Sequence, residues 1–125
     1  MYILGIDTSS EVGSVSIFNN ETLISESVSN IKLTYSERFF DILAATLGNA
    51  KITISDIELV CIDTGPGSFT GLRIGIASIK GLFFEKETPI TQISSLEAIV
   101  NNFPPEVGNI YVPIIDARMN ALFIA

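Results

Sequence analysis

The sequence has no histidine, no tryptophan and one cysteine, Cys61. With no imidazole and a single thiol, sites built from nitrogen and sulfur donors are close to excluded, so no metal site is expected. The same scarcity removes the usual base of a serine or cysteine hydrolase. No protease activity is therefore expected, and no catalytic residue is assigned. Cys61 can form no internal disulfide, and its place inside an apolar run argues for packing over reactivity. Basic residues are scarce as well: seven Lys and Arg stand against fourteen Asp and Glu, for a net charge of −7. That balance opposes binding to a phosphate backbone, so the chain alone is not expected to bind nucleic acid. No apolar run reaches the roughly 18 residues of a membrane span, and Met1-Tyr2-Ile3-Leu4 carries no basic leader. These absences predict a cytoplasmic location and no membrane partner.

What is present is apolar. At 125 residues and 47% hydrophobic content, the chain has room for one domain with a modest core. Residues 2–6 read as a buried strand ending at Asp7. Residues 13–18 and 22–28 alternate as a hairpin, with Asn19-Asn20 tolerating the positive φ of its turn. A helix is predicted from Thr34, where Thr34 and Glu37 make a capping-box spacing, to Gly48. Residues 58–62 form a continuous apolar strand, 89–93 a short one, and Ser94 or Ser95 with Glu97 opens a third helix through about Asn101. The segment 102–109, with Pro104-Pro105, marks a boundary between a lobe at 1–103 and a terminal piece at 104–125. That piece reads as strands over 110–115 and 121–125 around a turn at 116–120. The order βββαβαβα predicts a mixed five-stranded sheet flanked by helices, the ribonuclease-H-like half of the actin-like ATPase architecture; a flavodoxin-like parallel sheet is the rival.

Between the strand 58–62 and the helix 70–85 lies Gly65-Pro66-Gly67-Ser68-Phe69-Thr70-Gly71-Leu72-Arg73. Ser68 or Thr70 can cap the helix. Walker spacing would place Lys-Ser or Lys-Thr after Gly71, where Leu72-Arg73 stands, and the dinucleotide spacing fails at the third glycine. In the helix only Arg73 and Lys80 are charged, and Gly75 and Gly81 each cost about 1 kcal/mol against alanine, so another backbone is expected close by. It belongs either to the chain's own sheet or to a partner. Phe39, Phe40, Leu43, Gly71, Leu72, Gly75 and Ile79 are the expected partner contacts, with Arg73 at the rim or bonding loop carbonyls. A large charge at Gly75 is expected to abolish pairing and spare the fold. Asp7 with Thr8, Ser9 and Ser10 could hold a phosphate and a hydrated magnesium ion, or Asp7 could simply cap the turn. Asp56, Glu58 and Asp63 read as solvated carboxylates.

Gly5-Ile6-Asp7-Thr8-Ser9-Ser10, Ser36-Glu37-Arg38, the nine residues from Gly65 to Arg73, Ser94-Ser95-Leu96-Glu97-Ala98 and Asp116-Ala117-Arg118 resemble, in order and spacing, the TsaB (YeaZ-like) family. This family serves bacterial tRNA threonylcarbamoyladenosine synthesis. The resemblance implies a non-catalytic subunit required for threonylcarbamoylation of adenosine 37. Its helices 35–48 and 70–85 would pair with a TsaD-like catalytic subunit, in a complex that includes a TsaE-like ATPase, or with a second copy as a homodimer. No intrinsic cofactor is implied; ATP or ADP with magnesium at a partner junction is the one group left open. Family members continue into a second lobe, of which 104–125 would be the opening hairpin. Tyr35 stands where the family often has histidine, and Asn120 stands near an expected acidic position. A stand-alone actin-like ATPase or small-molecule kinase is the alternative.

Overall fold

The first three strands follow the alternation of apolar and small polar residues: β1 (Tyr2–Asp7), β2 (Val12–Asn19) and β3 (Thr22–Asn30). A computed structural model of the chain describes residues 1–30 and 35–125, and side chains for 1–30 and 38–125. The Thr34–Glu37 capping box lies outside the described residues. β2 pairs antiparallel with β1 and β3, while β4 (Ile57–Asp63) runs parallel to β1, and β5 (Ile90–Ile93) parallel to β4. The sheet order is β3-β2-β1-β4-β5, with β2 alone running against the rest. This is the mixed ribonuclease-H-like sheet of an actin-like lobe, and the all-parallel rival is set aside.

Registers Leu4↔Ile17, Ile6↔Val15, Leu4↔Val60 and Ile6↔Ile62 place six buried side chains on one sheet face, because successive side chains alternate sides. Helices α1 (Tyr35–Ala50) and α2 (Phe69–Leu82) cover that face, α1 over β2 and β3 and α2 over β1 and β4, touching one another. Phe39, Leu43, Ile79 and Phe83 fill the space between helices and sheet. A short α3 (Ser95–Val100) follows β5, and β6 (Ile114–Arg118) with β7 (Ala121–Ile124) forms a separate two-stranded sheet.

Several element ends differ from expectation for local reasons. α1 passes Gly48 and stops two residues later, where Lys51 adopts φ 57°, its N–H donating to the Gly48 carbonyl (3.1 Å) and that of Ile52 to Leu47 (3.2 Å). Those paired bonds are a Schellman closure with lysine at the position glycine usually takes. α2 ends at Leu82, short of residue 85, and Phe83 follows as its C-cap. In the terminal hairpin, residues 110–113 form no strand, and Asp116-Ala117-Arg118 belongs to β6; the turn is Met119-Asn120. Arg118, Met119 and Asn120 all have positive φ, at 63°, 51° and 59°.

Candidate functional site

At the C-terminal ends of β1 and β4, two loops and a helix are knitted together. Asp7 accepts bonds from the Ser9 N–H (2.8 Å) and the Ser9 hydroxyl (2.6 Å), and the Ser10 hydroxyl donates to the Val12 carbonyl (2.8 Å). This is the Asx turn that a short acidic side chain forms with the backbone two residues on. The Ser68 N–H donates to the Ser9 carbonyl (2.6 Å), and a Cβ on Gly67 would overlap that same carbonyl. A Cβ on Gly75 would overlap the Thr8 hydroxyl and stand 3.3 Å from the Thr8 Cβ and Cγ2. Thr8 is buried, and its hydroxyl has no partner among the described residues. What approaches Gly67 is the backbone of the chain's own 7–10 turn and what approaches Gly75 is the Thr8 side chain of that turn, whereas Gly81 has nothing within 4 Å, so the expectation of a close backbone at Gly81 is corrected.

The glycine-rich loop is anchored from its other side by Asp63, which is buried rather than solvated. Its carboxylate accepts from the Gly65 N–H (2.7 Å) and the Ser95 hydroxyl (2.6 Å), while the Ser95 N–H donates to the Gly65 carbonyl (2.9 Å). Gly65 has φ +100° with the Leu72 side chain beside it, and the Gly65–Pro66 bond is cis. Ser68, not Thr70, caps α2 by accepting from the Gly71 N–H (3.3 Å). The other two carboxylates remain exposed. Asp56 accepts from the Thr53 N–H (2.7 Å) and hydroxyl (2.8 Å), bonds that hold it below the usual aspartate range. Glu58 accepts from the Tyr2 N–H (2.8 Å). Burial pushes the Cys61 thiol up, which suits a packed side chain.

Asp7, Thr8, Ser9 and Ser10 share one turn, in which Asp7 Oδ1 takes both the Ser9 N–H and hydroxyl and the Thr8 side chain is turned against Gly75 of α2. Among the described residues no group of His, Cys, Asp and Glu could hold a metal ion. Asp7 is the one carboxylate among residues 7–10.

The expected partner surface separates into an inner and an outer face. Phe39, Leu43 and Ile79 are 2%, 4% and 1% exposed, because they pack on the chain's own sheet. Gly71 and Gly75 are buried within the protomer too, and Leu72 is half-buried against Gly65. A charge at Gly75 would strike the 7–10 turn before reaching any partner, so the expectation that it would spare the fold is corrected. Of the expected contacts only Phe40 faces outward. Phe69 (73% exposed) and Phe84 (84% exposed) also face outward, and neither is among the expected contacts. Arg73 lies over the Phe69 ring at 5.2 Å. The signal available in the sequence was the helical spacing of Phe69, Arg73, Ala77 and Lys80, which puts these four on one stripe of α2; Phe84 lies beyond the helix end. Ala44, Ala45 and Ala77 are exposed small residues on the same two helices.

A protein-family model described as TsaD, tRNA N6-adenosine threonylcarbamoyltransferase, matches residues 22–125. The tRNA threonylcarbamoyladenosine biosynthesis protein TsaB of Bacillus subtilis is 31% identical over 123 residues, 98% of this chain and 53% of that protein. The protein of the same name from Escherichia coli is 32% identical over 126 residues, covering 100% and 54%. YeaZ from Pseudomonas aeruginosa superimposes with a TM-score of 0.85 at 28% identity, over 97% of this chain and 57% of that one. The chain spans about half the length of the curated relatives it matches.

Proposed function

The chain belongs to the TsaB (YeaZ-like) family, and on that premise we propose that it serves tRNA threonylcarbamoylation as a non-catalytic partner subunit. Its outer α1–α2 face docks on a TsaD-like catalytic subunit that modifies adenosine 37. The observation that carries this reading is that Phe40 on α1, Phe69 in the first turn of α2 and Phe84 just beyond its end all stand exposed, while the inner faces of both helices are already committed to the core. Large aromatic side chains left in water are the usual anchors of a protein interface. Arg73 lies over the Phe69 ring and adds a cation to that exposed aromatic. In this reading the tRNA is held by a basic partner, a TsaE-like ATPase joins the complex, and any ATP or ADP with magnesium sits at a junction between subunits. The setting is the cytoplasm.

Phe69→Asp and Phe84→Asp test this directly, since both side chains are exposed enough for the fold to survive. Each is expected to weaken binding of a TsaD-like subunit by about tenfold or more, with circular dichroism unchanged. Threonylcarbamoylation by the reconstituted complex should fall in parallel. Wild-type affinity in both variants would place the docking face elsewhere.

A further inference from the structure

Phe69 is the first residue of α2 and its ring stands in water, so its place in space is set by the backbone around it rather than by packing on the ring. Just upstream, Ser68 donates its N–H to the Ser9 carbonyl (2.6 Å), and its own carbonyl accepts from the Leu72 N–H (2.9 Å). Gly65 is gripped from both sides. Its N–H donates to Asp63 Oδ1 (2.7 Å), its carbonyl accepts from the Ser95 N–H (2.9 Å), and the Ser95 hydroxyl donates to that same Asp63 oxygen (2.6 Å). The Leu72 side chain lies against Gly65, so the grip reaches the first turn of α2 directly. Asp63 and Ser95 are both buried. The ends of β4 and β5 are already joined by their ladder and by the Thr64 N–H donating to the Ile93 carbonyl (3.0 Å), so the strands do not need the Asp63–Ser95 bond to stay together. What that bond fixes is the loop, since a satisfied buried polar network selects one geometry.

We propose that Asp63 and Ser95 are positioning residues for docking: by holding Gly65 they present the Phe69 ring, with the Arg73 cation over it, in the geometry the partner binds. The proposal rests on the docking reading above and extends it to two buried residues that touch no partner. An anchor that is already fixed spares the interface the cost of ordering it on association. With the Ser95 hydroxyl gone, Gly65 keeps fewer ties, the first turn of α2 gains freedom, and that cost returns. The effect is confined to one end of the helix. Phe84 follows the C-terminal turn of α2, where its N–H donates to the Gly81 carbonyl (3.4 Å) and the Phe83 N–H to that of Ile79 (3.0 Å). Phe40 sits on α1 with its ring edge-on to Phe39.

A double-mutant cycle on binding of a TsaD-like subunit to the full chain tests this, with wild type, Ser95→Ala, Phe69→Ala and the two combined, at a temperature where circular dichroism shows every variant folded. A merely structural role would lower the unfolding temperature of Ser95→Ala and leave the affinity of the folded protein alone. Phe69→Ala is expected to weaken binding about tenfold and Ser95→Ala about fivefold, while adding Ser95→Ala to Phe69→Ala costs less than about twofold more. In a Phe84→Ala background Ser95→Ala should keep its full effect. Should Ser95→Ala not fold, Ser95→Cys, which keeps a weaker donor at the same place, takes its position in the cycle. Wild-type affinity in Ser95→Ala, or an equal loss with and without the Phe69 ring, would overturn the positioning role and leave the docking reading standing. Wild-type affinity in Phe69→Ala would instead remove Phe69 from the docking reading, and this proposal with it.

Discussion

Gly75→Ala separates the two reasons a helix can carry an internal glycine. In an open helix the substitution stabilises by about 1 kcal/mol through backbone entropy. Here the new Cβ would overlap the Thr8 hydroxyl, with two further Thr8 carbons at 3.3 Å, and Thr8 is 1% exposed with nowhere to retreat. Overpacking of that kind costs about 1–3 kcal/mol, so the net expectation is a destabilisation of about 0–2 kcal/mol in place of a gain. Thr8→Ala in the same background removes the hydroxyl and Cγ2, leaving only a tolerable contact with Cβ. It also removes a buried hydroxyl that has no partner among the described residues, an omission worth about 1–3 kcal/mol when such a group is buried. The hydroxyl term is common to both arms of the cycle, so Thr8→Ala should help the Gly75→Ala protein by about 1 kcal/mol more than it helps wild type, a favourable coupling between two touching residues. Urea unfolding followed by circular dichroism reads all four proteins of the cycle. If Gly75→Ala alone gains its full helix-propensity increment, the 7–10 turn does not require the glycine and the packing account of this helix fails.

Lys51→Gly should stabilise by up to about 1 kcal/mol, since lysine holds a left-handed φ of 57° that glycine adopts without strain; thermal unfolding would show a rise of a few degrees, and no rise would contradict the Schellman reading. Asp63→Ala strips the acceptor from two buried donors, Gly65 N–H and Ser95 hydroxyl, and should cost about 2–4 kcal/mol, with Asp63→Asn milder because one oxygen remains; equal losses in the two variants would argue against these bonds. Asp56 has a lowered carboxyl pKa from its bonds to Thr53, so its contribution to stability is full above the ordinary aspartate range and lost as pH falls through the lower folded value. Comparing acid unfolding of wild type with Asp56→Asn should show this part of the pH dependence vanish in the variant.

Much of the fold could be read from the sequence because its patterns were local. Alternation in β2, the apolar run at 59–62 and the β-α alternation after it led to a mixed sheet with the observed element order. Element ends were less legible: Lys51 and the Arg118-Met119-Asn120 turn use left-handed conformations on residues that carry no glycine signal. The site was half legible. Gly67 and Gly75 did mark a close approach, but that residues 8 and 9 of the first turn are what approach them depends on how β1 and β4 sit side by side, and no local pattern carries that. Asp63 looked like an ordinary strand-end carboxylate because its second partner, Ser95, lies 32 residues away. On α1 and α2 the apolar count was right and the facing wrong: Phe39 turns in while its neighbour Phe40, with its ring 5.5 Å away edge-on, turns out.

Amide hydrogen exchange of the whole chain, alone and with a TsaD-like subunit, tests the docking face most directly. Binding should slow exchange across residues 38–49 and 69–84 and leave β3 unaltered. Protection confined to other segments, with both helices exchanging as before, would contradict the account.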